Sequence, residues 1–89
     1  MRYLIVLEPV ETGFAVQVPD LAISTYGETL DSAKEAARDA ISVNIEAYRE
    51  AGQNLPDPMP LEYHFNNPEF GGLLFAYVDV LKAWEKMAA

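Results

Sequence analysis

The sequence predicts an α+β domain with the order β-β-β-α-β. Three strands form an antiparallel meander, one long helix covers one face, and a fourth strand runs parallel to the first. Three observations carry this reading. Tyr3–Glu8, Phe14–Val18 and Ile23–Tyr26 are short, β-rich and separated by Pro, Asp and Gly. A single long amphipathic run starts at Leu30. An apolar stretch, Leu73–Val80, follows a proline-rich connector.

In Tyr3–Glu8, Tyr3, Ile5 and Leu7 face one way, and Leu4 and Val6 the other. Apolar residues on both faces mark a central strand. Pro9 is expected to end it, and Gly13 to supply the turn into Phe14–Val18. Phe14, Val16 and Val18 share a face, with Gln17 opposite. Pro19-Asp20 punctuates the chain. Ile23–Tyr26, short and partly polar, reads as an edge strand.

Thr29 is placed to cap the helix, with Glu28 and Asp31 near the positive end of its dipole. The helix is predicted from Leu30 to about Ala51, stopped by Gly52. At 100° per residue, Leu30, Ala33, Ala36, Ala37, Ala40, Ile41, Val43, Asn44, Ala47, Tyr48 and Ala51 fall on the buried face. So many alanines let the helix lie close on the sheet. Asn44, mid-face, needs hydrogen-bond partners. Gln53–Pro60 is a stiff connector, and Leu61–Phe65 reads as an added edge strand. Ala83–Ala89 reads as a short tail anchored by Trp84. The 89 residues make one domain, 1–89. Its uncovered sheet face, or a sheet edge, is the expected surface for self-association as a dimer or tetramer.

Composition narrows the function. There are fourteen acidic residues against six Lys and Arg, a formal net charge of -8. Tyr3–Ala33 and Glu50–Leu81 hold no cation at all. Such a surface repels phosphate, which disfavours direct nucleic-acid binding, and attracts a basic protein. Without cysteine there is neither a disulfide nor a thiolate metal site, which fits a reducing, cytoplasmic setting. No apolar run is long enough to span a membrane. No hydrolase, zincin, phosphate-loop or dinucleotide motif is present. The lone His64 reads as a packing or surface residue, and no cofactor is implied. The one enzymatic alternative is a metal-dependent nuclease. It would place Glu8 and Asp79 side by side on parallel neighbouring strands, with Asp20, Glu35 or Asp39 recruited to them.

The run F-A-V-Q-V-P-D-L-A-I-S-T-Y-G-E-T-L-D-S-A-K-E-A-A-R-D-A-I resembles the HicB-like antitoxin family. The resemblance rests on Pro19-Asp20-Leu21, on Gly27-Glu28-Thr29-Leu30, and on Ala33, Ala37 and Ala40 along the helix. It implies a partial ribonuclease-H-like fold without that enzyme's catalytic set. It also implies a non-enzymatic role: covering the active site of a small basic mRNA-cleaving toxin of the HicA type. The expected partner contacts are Asp20, Glu28 and Asp31. Many members carry a helix-turn-helix or ribbon-helix-helix segment after the last strand. Only L-K-A-W-E-K-M-A-A follows Val80, so operator binding is not expected of this chain alone. The other reading is a stand-alone oligomeric module with an unrelated partner or ligand.

Overall fold

The computed structural model describes residues 1–80. The expected tail around Trp84 lies outside them. β1 (Arg2–Val10), β2 (Gly13–Val18) and β3 (Ile23–Gly27) form the meander, and α1 (Leu30–Glu50) follows. A short helix α2 (Leu61–Phe65) and β4 (Leu74–Asp79) complete the described chain. Two 3₁₀ turns, Pro19–Leu21 and Pro68–Phe70, sit at its corners. The sheet order is β3-β2-β1-β4, so β1 is central as expected.

β1 runs on through Pro9 to Val10, and a two-residue turn leads to Gly13. Proline is tolerated there for a reason the ladder supplies. Met1 and Val80 exchange both backbone hydrogen bonds, at 2.9 and 2.7 Å. By antiparallel alternation, the odd residues of β1 then bond towards β4. β4 begins opposite Leu7, so Pro9 stands where no N–H is needed. Gly13 has no left-handed torsion. It is glycine because a Cβ there would overlap the Gly27 carbonyl and Glu28 Cα.

Thr29 caps α1 as predicted. Its Oγ1 accepts from Ser32 N–H at 3.0 Å, and Ser32 Oγ accepts from Thr29 N–H at 2.9 Å. Gly52 follows the C-terminus with φ +67°. Ala33, Ala37, Ile41 and Ile45 are the buried stripe. Val43, expected inside, is 72% exposed, and Ile45 takes a place it was not given. The true face is rotated by about 60° from the predicted one at 100° per residue. Small residues lie at the helix entrance and isoleucines further along. A Cβ on Gly27 would overlap the backbone N and Cα of Ala33, so the first turn rests directly on β3.

β4 pairs with β1 antiparallel, Tyr3 opposite Val78 and Leu7 opposite Leu74, which corrects the parallel arrangement expected from the sequence. A helix leading straight into the next strand would have made that strand parallel. Here the chain reverses once more. After α1 the connector brings it round the sheet, and residues 61–70 cross the second face from β3 towards β4. Leu61–Phe65 is accordingly helix, not an edge strand. The second face is therefore covered, not open: Leu4, Val6 and Phe70 are all buried, and Phe70 lies 6.3 Å from the Phe75 ring on β4. The helix-side core joins Tyr3, Ile5, Leu7, Val16, Val18 and Val78 to the α1 stripe.

Candidate functional site

The polar centre of the molecule joins the Pro19–Leu21 turn to α2. His64 Nε2 and Asp20 Oδ1 are 2.8 Å apart, with side chains only 5% and 3% exposed. The same Asp20 oxygen accepts Met59 N–H at 3.0 Å. Tyr63 meets the imidazole edge-on at 5.4 Å, and Phe70 lies at 6.3 Å. The neighbouring Tyr3 phenol is pushed above its ordinary value, first by burial and then by the Asp20 carboxylate. Local geometry aims Asp20 inward: Pro19 opens the 3₁₀ turn, and Ala22 closes it in the left-handed conformation at φ 53°. Such a torsion costs a non-glycine residue about 1 kcal/mol.

Chemically, this pair is a fastener. Among the described residues no hydroxyl, thiol or amine bonds the other ring nitrogen of His64, so an Asp–His–nucleophile relay is not assembled. A shallow cleft of about 340 Å³ lies beside the pair, lined by Gln17, Ile23, Ser24, Tyr63 and Asn67 among others.

The residues singled out in the sequence do not gather at one place. Asp20 precedes β3 and Glu28 follows it, so the strand separates them. Glu28 and Asp31 are exposed at the α1 entrance, on the end of the molecule that also carries the exposed Glu8 and Glu11. The nuclease pairing of Glu8 and Asp79 fails on topology. Asp79 stands opposite Arg2 and bonds it at 3.1 Å. That contact holds the carboxyl below its ordinary range. Glu8 is six residues further along β1, about 20 Å away at strand rise. Glu35 and Asp39 lie on the exposed side of α1. Among the described residues no group of three His, Asp or Glu is arranged to hold a metal ion.

Sequence reasoning did not find the Asp20–His64 pair. Each residue is unremarkable locally, and forty-four positions separate them. Nor did it resolve Asn44, whose buried Oδ1 has no partner among the described residues.

The fold and this centre define a class: a small α+β domain, one long helix on a four-stranded antiparallel sheet, with a buried polar fastener. Residues 3–87 match the family model described as HicB_like antitoxin of bacterial toxin-antitoxin system. The chain belongs to that HicB-like antitoxin family. It is 38% identical over 81 residues to a 14.9 kDa protein of the rep-hol intergenic region of Haemophilus phage HP1, covering 90% of this chain and 61% of that protein. It is 39% identical over 66 residues to antitoxin HicB of Escherichia coli K12, covering 72% of this chain and 48% of that one. The chain thus spans less than two thirds of these relatives' length. Its fold is similar to antitoxin HicB of Burkholderia pseudomallei, with a TM-score of 0.80, 29% identity and coverage of 90% and 63%. It is also similar to a chain of the HicA3 and HicB3 toxin-antitoxin complex, with a TM-score of 0.75, 26% identity and coverage of 92% and 100%. No helix among the described residues is long and apolar enough to cross a membrane.

Proposed function

We propose that this chain is the toxin-binding part of a HicB-like antitoxin, acting without catalysis in the cytoplasm by covering the active site of a small basic HicA-type ribonuclease. The observation that carries the reading is family membership across residues 3–87. The similarity to a whole chain taken from a toxin–antitoxin complex supports it. So does a net charge of -8, which draws a cationic partner and speeds the encounter.

Glu28 and Asp31 are the proposed direct contacts, because their carboxylates are exposed at an end with several acids. Asp20 enters indirectly: its buried carboxylate holds the second-face cover that a partner would meet. The test is titration of this chain into an RNA-cleavage assay of a HicA-type toxin. Cleavage is expected to stop near equimolar ratio, with a stable complex on gel filtration. Glu28→Lys with Asp31→Lys is expected to slow association, most clearly at low salt. Full cleavage with no complex at micromolar concentration would sink the proposal.

A further inference from the structure

We propose that the cleft beside the Asp20–His64 pair is a receptor for a guanidinium group, and that its occupant is an arginine side chain of the basic partner. The cleft, of about 340 Å³, lies where α2 and the turn after it meet the second face of β2 and β3. Gln17 and Ser24 stand opposite each other in the β2–β3 register and form its sheet side. Tyr63, His64 and Asn67 form the other wall.

His64 supplies the observation that points to a ligand. The residue is only 4% exposed, and its Nε2 lies 2.8 Å from Asp20 Oδ1. An ionised carboxylate only accepts, so in the neutral ring the proton sits on Nε2 and Nδ1 keeps a bare lone pair. Among the described residues Nδ1 has no partner. Nor is it sealed away: the one sealed side-chain atom without a partner among them is the Asn44 oxygen. Nδ1 therefore reaches open space, and the space that His64 lines is this cleft. A histidine fixed by a carboxylate on one nitrogen is oriented to hold a ligand on the other. A metal ion needs further ligands, and among the described residues no group of three His, Asp or Glu is gathered to supply them.

Charge selects the class of ligand. Both walls come from Tyr3–Ala33 and Glu50–Leu81, the two windows without Lys or Arg. Behind the imidazole stands the buried Asp20 carboxylate. A phosphate or carboxylate would enter against that charge with no cation to receive it. A donor-only cation would meet His64 Nδ1, the Ser24 hydroxyl and the Gln17 carbonyl. Asn67 is not counted as an acceptor, because its Oδ1 already takes Glu69 N–H at 3.0 Å. Tyr63, 60% exposed, adds an aromatic wall. Several acceptors beside a ring suit a flat, weakly hydrated guanidinium that can stack. They suit a compact, strongly hydrated ammonium less. Arginine is also enriched among the residues that anchor protein interfaces. The occupant rests on the toxin-binding reading; the guanidinium chemistry rests on the cleft alone.

The test is a titration of the full chain with N-acetyl-arginine amide, followed by amide and imidazole nitrogen resonances in NMR. The chain has one histidine, so the imidazole signals belong to His64. Saturable shifts are expected at Ser24, His64 and Asn67 in the millimolar range, with N-acetyl-lysine amide binding several-fold more weakly. Ser24→Lys and Gln17→Lys each set a cation at an exposed position of the cleft without touching the Asp20–His64 bond. Each is expected to abolish the arginine shifts. Each is also expected to weaken the complex with a HicA-type toxin by about tenfold or more, through faster dissociation. Val43→Lys adds the same charge on the exposed side of α1 and is expected to change neither readout. The absence of a saturable arginine response overturns the proposal, as does a lysine response of equal strength or an equal loss in Val43→Lys. A toxin complex indifferent to both Ser24→Lys and Gln17→Lys overturns the assigned occupant. Should no toxin bind at all, the occupant falls with the proposed function, and the arginine titration still decides the cleft.

Discussion

The two faces of the sheet are covered by different kinds of chemistry. On one, α1 lays a regular stripe of Ala33, Ala37, Ile41 and Ile45 on apolar strand residues, with Thr29 and Gly52 fixing its ends. On the other, a ten-residue crossing with only a short helix is held by Phe70 and by the Asp20–His64 pair. The first cover is periodic and continuous with the core. The second is a strap with one polar fastening, and its outer side carries exposed Tyr63 and Phe65. Stability is accordingly expected to be unequal: the helix side reports global unfolding, and the strap opens locally below it.

That contrast can be broken most strongly at Gly27. Gly27→Ala drives a Cβ into the backbone of Ala33, which has no flexible end to yield. A loss of about 3 kcal/mol is expected in urea unfolding, with all probes shifting together. Asp20→Ala attacks the other face. It leaves the His64 ring and the Met59 N–H without their acceptor, for a cost of about 2 kcal/mol. Here hydrogen exchange is expected to quicken in residues 59–70 before the helix changes. Equal acceleration in α1 would contradict the division into two covers. Tyr3→Phe gives the smallest effect and tests where the faces touch. Burial and the Asp20 carboxylate raise the Tyr3 phenol, so the folded chain keeps its proton after the unfolded chain has lost it. That contribution is complete below the ordinary value of 10.0 and disappears as pH climbs from there through the raised folded value. The alkaline fall in urea midpoint is expected to flatten in Tyr3→Phe.

The same division explains what the sequence makes legible. The three meander strands, the Thr29 cap and the Gly52 stop are local, and short-range rules reach them. The helix face was right in kind but turned, because a broad stripe of alanines does not say which flank meets the sheet. Val43 and Ile45 consequently changed places. The return path was not local at all. Leu61, Tyr63 and Phe65 alternate as a strand would, yet all three are exposed and the polar His64 between them is buried. Its partner lies in a distant turn, and no window of sequence contains both. Once the path across the second face was missed, the direction of β4 was missed with it. The imagined neighbourhood of Glu8 and Asp79 was lost too. Of the proposed contacts, Glu28 and Asp31 stay exposed at the helix entrance, and the inward turn of Asp20 had no local signature.

The antiparallel return of β4 also sets an order of events during synthesis. Of these elements β1 is synthesised before the others, and β2, β3 and α1 can assemble on it as each emerges. Its other flank, the apolar run Tyr3–Leu7, waits for residues 74–78, more than sixty positions later. Contacts so distant in the chain form late. Until then the nascent domain presents an open hydrophobic strand at what will become its centre. β4 is thus a cap as well as a fourth member of the sheet. Nascent chains arrested before Leu74 are expected to be the form that chaperones hold.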